Sequence, residues 1–391
     1  MSFPGPYQQN AAARLAPTIT IRQSPQVSVI KVALAIIAIL IALFLGLLVL
    51  LVIGIETGPV AFFLGLITAT IPVPLYVILV LWIDRYEAEP MWMLATAFFW
   101  GVLVASFFSF LLNTIGGVIV SAIADPNAGE TFALVISAPI VEECSKALIV
   151  VVFFFWKKDE FDGVVDGIVY ASMSALGFAM TENILYYGKA AFQHGMEGLT
   201  LTLIIRGAFA PFSHPLFTSL TGIGLGIARL SSNTAIKFIA PIIGLLMAIF
   251  MHSIWNGSGA LGGGAVFILT YFIIMVPAFL IMLVVISLAL RREGQVVKEF
   301  LLPDLQRGLL SQEEYQQLGS IGGRMGSSFN AFSQSGFKGW RTRRRFNQMA
   351  SELAFHRSRV ARGLHSEQDA HEMESAYLQA LQGLVNEVRT R

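Results

Sequence analysis

The chain has 391 residues, 55% of them hydrophobic and only 13% charged, with a mean hydropathy of +0.69. A soluble domain carries about 25% charged residues, so this composition excludes a soluble globule and makes the bilayer part of the solvent. The net charge of +1 says little, because the charges are unevenly placed, and the single cysteine, Cys144, excludes both an intramolecular disulfide and a Cys-rich zinc site.

Residues 1–28 are polar, carry several prolines and read as a disordered cytoplasmic tail. A spanning helix needs about 20 apolar residues. Stretches 32–55, 60–83, 91–123, 132–156, 163–187, 199–228, 235–255 and 265–290 qualify. The first is too long for a signal-peptide core. The third and sixth are long enough to be tilted, kinked or broken. Pro72 and Pro74 should kink the second stretch, Pro139 the fourth, and Pro211 and Pro215 the sixth, because proline removes a backbone donor and crowds the preceding turn. The short-loop basic residues Arg85, Lys157, Lys158, Arg229, Lys237, Arg291 and Arg292 fall on one side and Lys189 on the other. That asymmetry puts both termini in the cytoplasm.

The expected fold is all-α, a polytopic membrane bundle of about eight transmembrane helices with a short helical cytoplasmic C-terminal tail. The membrane domain covers 29–290 with its core at 84–256. An amphipathic segment and a Gly/Ser-rich linker cover 291–339, and a basic helical tail covers 340–391. In that tail Phe346, Met349, Leu353, Met373, Tyr377, Leu378 and Leu381 recur at helical spacing. Arg341, Arg343, Arg344 and Arg345 beside Trp340 read as a solvated helix face or as a patch for anionic lipid of the inner leaflet. Nothing supports nucleic acid as a partner. No internal repeat and no phosphate loop is present.

Ionisable residues inside membrane helices are costly and point to function. The fourth stretch carries Glu142, Glu143 and Lys146. Glu142 and Lys146 stand at i and i+4, where they can pair. Glu143, about 100° around the helix, then remains available as a general base or metal ligand. The fifth stretch carries Glu182 and Asn183, the sixth Arg206 and His214, and the seventh His252 and Asn256, again at i and i+4. Asp162 and Asp166 at the start of the fifth read as helix N-terminal partners. Residues 84–90 read as a charged interfacial turn or a gating loop. Two imidazoles with two or three carboxylates in one cavity suit a divalent metal such as Zn2+, which takes nitrogen and oxygen ligands. The soluble His-Glu-x-x-His motif is absent. A tilted bundle would let these residues converge in the outer half of the membrane.

These motifs in this order resemble the PrsW family of intramembrane proteases: Asp84-Arg85-Tyr86-Glu87-Ala88-Glu89-Pro90, Glu142-Glu143-x-x-Lys146, Asp166-Gly167-Ile168-Val169-Tyr170, Phe178-x-x-x-Glu182-Asn183, His214 and His252-x-x-x-Asn256. That family is similar to the CAAX-protease and bacteriocin-processing glutamate-type membrane proteases. The resemblance covers about 84–256. It implies an integral protein of a bacterial inner membrane that cleaves a membrane-anchored substrate, an anti-sigma factor in characterised members. By position it implies Glu142, Glu143, Glu182, His214, His252 and Asn256 as the catalytic set, supported by Lys146, Asn183 and Arg206. If a metal is bound, His214, His252, Glu143 and Glu182 would hold it. Glu143 is the expected base, and His252 with Asn256 the expected oxyanion partners. An ion-coupled transporter and a non-catalytic scaffold of protease ancestry remain as alternatives. A separation of these side chains by more than about 10 Å would exclude shared general-base chemistry, which needs hydrogen-bond reach.

Overall fold

The computed structural model describes residues 29–363 and 367–389, so the expected disordered tail at 1–28 lies outside the described residues. The chain divides after Phe44 into a short N-terminal unit and a second unit, Leu45–Arg391. From Val29 the first unit is helical with exposed apolar side chains. The second unit holds everything considered below.

The described residues contain helices and no strand. In chain order these are α1 (Val29–Thr57), α2 (Pro59–Thr70), α3 (Val73–Ile83), α4 (Met91–Phe99), α5 (Ser106–Ile123), α6 (Pro126–Phe132), α7 (Ala138–Trp156), α8 (Val164–Leu203), α9 (Ser213–Leu230), α10 (Thr234–Leu261), α11 (Gly263–Thr270), α12 (Val276–Gln306), α13 (Gln312–Leu318), α14 (Ile321–Ala361) and α15 (Glu367–Arg389). Four wide π turns, at Trp100–Ala105, Ala133–Ser137, Ile204–Phe209 and Tyr271–Met275, interrupt the long spans. Such turns often accompany functional sites.

Among the described residues, six stretches are long and apolar enough to cross a membrane. The sequence reading expects eight, and the two counts differ for physical reasons. Helix α7 is apolar except for Glu142, Glu143 and Lys146, three charges within 19 residues. The stretch Val164–Leu230 is continuous in composition but holds two helices, α8 and α9. The second span breaks at Ile71–Pro72 and Pro211 falls in the break before α9, as expected, whereas Pro139 and Pro215 sit in the first turns of α7 and α9, where a missing N–H is tolerated.

Helices α8 and α9 form the buried centre, while the other spans turn most of their apolar side chains outward. That is the pattern of a bundle solvated by lipid tails. The central helices cross at Gly167 and Gly222, where a Cβ on either would fall 2.0–2.1 Å from the other's carbonyl oxygen. Small residues permit this approach, and it sets α9 against α8 closely enough for their polar side chains to meet.

Residues 320–339, expected as a linker, are helical. They form the first arm of α14, which bends at Ser335–Gly336, where Gly336 has φ 61°. Its Gly/Ser content conceals an apolar spacing, Met325, Phe329 and Phe332. The tail is also not separate. Phe346, Leu353 and Leu381 share one core with Tyr86, Met93, Tyr170, Leu290 and Val297. Arg359 pairs with Glu87, Arg362 lies 2.6 Å from Asp162, and Arg357 pairs with Asp304. Arg343, expected in an exposed basic patch, is buried and donates to Gln317 at 2.6 Å.

Candidate active site

The residues singled out from the sequence come together in one buried network. Helix α7 presents Glu142, Glu143 and Lys146 on neighbouring faces, all buried. Helix α8 adds Glu182 and Asn183, and the π turn after it adds Arg206. His214 sits in the first turn of α9, just beyond the break at Pro211, and His252 faces inward from α10.

Glu143 is fully engaged. Its Oε1 accepts from Lys146 Nζ at 2.6 Å and from His252 Nδ1 at 2.9 Å, and its Oε2 accepts from Thr218 Oγ1 at 2.8 Å. Lys146 stands 3.7 Å from Glu142 Oε2, beyond hydrogen-bond reach. The expected i, i+4 pair is thus present at ion-pair distance only, and the hydrogen bond of Lys146 goes to Glu143 instead. An i, i+3 pair is as close on a helix as an i, i+4 pair. Thr218 and His252, from two other helices, decide between them. Glu142 Oε2 is buried and has no hydrogen-bond partner. An unpaired buried polar atom is costly and calls for an explanation.

Glu182 Oε2 accepts from Arg206 Nη2 at 2.5 Å and from His214 Nε2 at 2.8 Å. Arg206 also donates to Asn183 Oδ1 at 2.6 Å and stacks 4.0 Å over the Tyr186 ring. His214 Nδ1 takes a hydrogen bond from Lys146 Nζ at 3.1 Å. The two imidazole rings lie 5.2 Å apart and nearly perpendicular, and Phe217 stacks on His252. Asn256 Nδ2 donates to the Leu134 carbonyl in a π turn at 3.0 Å.

A cavity of about 170 Å³ opens on this network. Glu142, Glu182 and Asn256 line it, with Phe178, Tyr186 and Leu134. Side-chain exposure ranks the carboxylates: 18% for Glu182, 7% for Glu142 and 0% for Glu143. A reactant in the cavity thus meets Glu182 and Glu142, while Glu143 lies behind them.

Glu142, His214 and His252 each offer a ligand atom within 4.8 Å of the others. With Nδ1 of His252 donating to Glu143, its Nε2 lone pair faces Glu142 Oε2 at 3.8 Å. Two acceptors this close, one of them orphaned, are what a shared cation at about 2 Å from each would leave. Glu143 behind His252 is the carboxylate that commonly orients a ligating imidazole. Glu142 and His252 thus offer open donors to a divalent metal, and His214 can add Nδ1 only in place of the bond it takes from Lys146 Nζ. This donor set differs from the expected set in taking Glu142 where Glu143 and Glu182 stood, because those two contact the histidines from behind. Sequence reading missed Thr218 and Phe217, although they stand four and three residues after His214 on the same helix.

The PrsW-protease family model, described as PrsW family intramembrane metalloprotease, matches residues 89–282. That segment contains the whole network and ends before the C-terminal tail. Among curated proteins, the chain is similar to Protease PrsW of Geobacillus kaustophilus, with 34% identity over 176 residues, 44% of this chain and 69% of that protein. It is similar to Protease PrsW of Oceanobacillus iheyensis, with 29% identity over 49% of this chain and 82% of that protein. For Protease PrsW of Bacillus subtilis the identity is 30%, over 45% of this chain and 71% of that protein. No solved structure matches the chain.

Proposed function

The chain belongs to the PrsW family of intramembrane metalloproteases, and from that premise we propose that it hydrolyses a peptide bond of a membrane-anchored protein at the Glu142–Glu182–His214–His252 cluster. The observation that carries the reading is the orphaned Glu142 carboxylate, buried between two imidazoles at the edge of a cavity.

Glu142 and His252 would hold the metal, with His214 joining through Nδ1 once the Lys146 bond is released, and Zn2+ suits nitrogen and oxygen donors of this kind. When bound there, it supplies a Lewis acid that polarises the scissile carbonyl and lowers the pKa of water. The protein's own groups do the rest. Glu143, fixed by Lys146 and Thr218, orients His252 so that Nε2 faces Glu142. Glu182, anchored through one oxygen by Arg206 and His214, presents its carboxylate to the cavity and takes the proton of the attacking water. This moves the base role from Glu143 to Glu182, because Glu143 has no access. The second N–H of Asn256 is free to hold the developing oxyanion, a contribution that is largest in a dry site.

The enzyme is an integral membrane protein. The loop charges support both termini being cytoplasmic, in a bacterial cell membrane. In that orientation the cavity lies in the outer half, flanked by Val49 and Ile53 near the outer end of α1, and the substrate segment reaches it from the bilayer. Comparing membrane proteomes of cells carrying the wild type and Glu182→Gln tests this. A membrane-anchored protein should accumulate uncleaved in the variant, and identical proteomes would refute the assignment.

A further inference from the structure

Outside the active site, a groove of about 880 Å³ runs between the end of α3 and the bent helix α14. That volume lies within the range of roughly 300–1,000 Å³ usual for small-ligand sites. Its walls change character along its length. One end is apolar, with Ile78 from α3 and Phe329 and Phe332 from the first arm of α14. The other end carries Arg85 and Arg344.

Depth decides what such a groove meets. Ile78 precedes the end of α3 by five residues, which is about 7–8 Å at 1.5 Å per residue. The apolar end therefore reaches below the membrane surface, while Arg85, two residues past the helix, sits at the interface. Phe329 and Phe337, near the bend of α14, are 70% and 65% exposed. Aromatic side chains left this open beside a span belong in lipid.

The two guanidinium groups are held in place. Arg85 stacks 3.9 Å over the Trp82 ring and Arg344 4.9 Å over the Trp340 ring. Among the described residues, neither has a carboxylate within ion-pair distance. Burial lowers the Arg85 pKa, and the charge of Arg344 lowers it further, so the two cations feel each other. Asp84, the acid among the lining residues, is buried and accepts the Glu89 N–H at 2.8 Å. Like charges fixed side by side above an apolar trough match a phosphate carrying acyl chains.

We propose that this groove binds one anionic phospholipid of the adjacent leaflet, its phosphate between Arg85 and Arg344 and its acyl chains along Ile78, Phe329 and Phe332. The site replaces the broader patch expected from the sequence. Arg343 is turned inward, and Arg341 and Arg345 lie outside the groove. The groove lies wholly outside the family match at 89–282: six of its sixteen lining residues precede that segment and ten come from α14.

Native mass spectrometry of the full chain, delipidated in detergent and titrated with phosphatidylglycerol or phosphatidylcholine, tests this. The wild type should retain one phosphatidylglycerol in preference to phosphatidylcholine. Arg85→Gln with Arg344→Gln should weaken it about 30-fold, at roughly fivefold per charge. Arg341→Gln with Arg345→Gln should leave it unchanged, and the charge-keeping Arg85→Lys with Arg344→Lys should retain it. If the glutamine pair does not fold, Arg344→Gln alone, on an exposed helix face, should show the fivefold loss. Equal binding of the two lipids, equal loss in the control pair, or a bound peptide in place of lipid would overturn the proposal.

Discussion

Lys146 donates to Glu143, three residues before it, at 2.6 Å, and leaves Glu142 without a hydrogen bond. This splits two adjacent carboxylates into different roles. Glu143 is a buried strut, bonded from three helices. Glu142 is the atom with nothing to satisfy it except what enters the site.

Lys146→Met should therefore damage the fold more than the chemistry alone requires. It strands the Glu143 charge, and breaking a fully buried pair costs about 3–5 kcal/mol. Thermal unfolding in detergent should show a large drop, mostly recovered when Glu143→Gln is added. A Lys146→Met protein that melts like the wild type would remove Glu143 from its supporting role.

The metal reading makes a prediction that does not need activity. Purified wild type should carry about one equivalent of divalent metal per chain, as expected of a buried catalytic site with an open position for water. His252→Ala and Glu142→Ala should carry almost none, while Glu182→Gln, which touches His214 from behind, should retain most of it. Elemental analysis reads this directly. Equal metal in all four proteins would place the ion elsewhere.

The turn 84–90 between α3 and α4 predicts a pH effect. Burial pushes the Asp84 carboxyl up to about 7, with the Glu89 N–H opposing the shift. Burial likewise raises Glu89, which accepts from Tyr170. An unfolded aspartate titrates near 3.9, so the native state binds the extra proton and this group favours folding most below about pH 4. That contribution is lost as pH rises toward 7. Asp84→Asn, which keeps the acceptor for Glu89 N–H, should melt like the wild type at low pH and above it at pH 7.5. A gap independent of pH would contradict the shift.

The candidate constellation was legible in the sequence because charges stand out against apolar windows. Glu142, Glu143, Glu182, His214 and His252 each interrupt a span, and they do converge. What the sequence could not decide was which glutamate Lys146 takes. That choice depends on Thr218 and His252, which arrive from α9 and α10 and are distant in the chain. Helix α7 shows the limit of composition: its three charges make it both the most informative span and the least apolar one. The stretch 320–339 misleads for the opposite reason. Its glycines and serines suggest a linker, but Ser320 caps the helix and Arg324 bonds Asn347 and Ser351 on the second arm, so tertiary packing overrides propensity.

The central claim is that Glu142, and not its engaged neighbour, meets the reaction. The direct measurement is cleavage of a membrane-anchored reporter by the purified enzyme in proteoliposomes, comparing the wild type with Glu142→Gln. The substitution is nearly isosteric and removes a buried oxygen that makes no hydrogen bond, so the melting temperature should hold. Cleavage should fall by at least about 100-fold, the scale of losing one positioned catalytic group. A folded Glu142→Gln protein that cleaves at the wild-type rate would contradict the account.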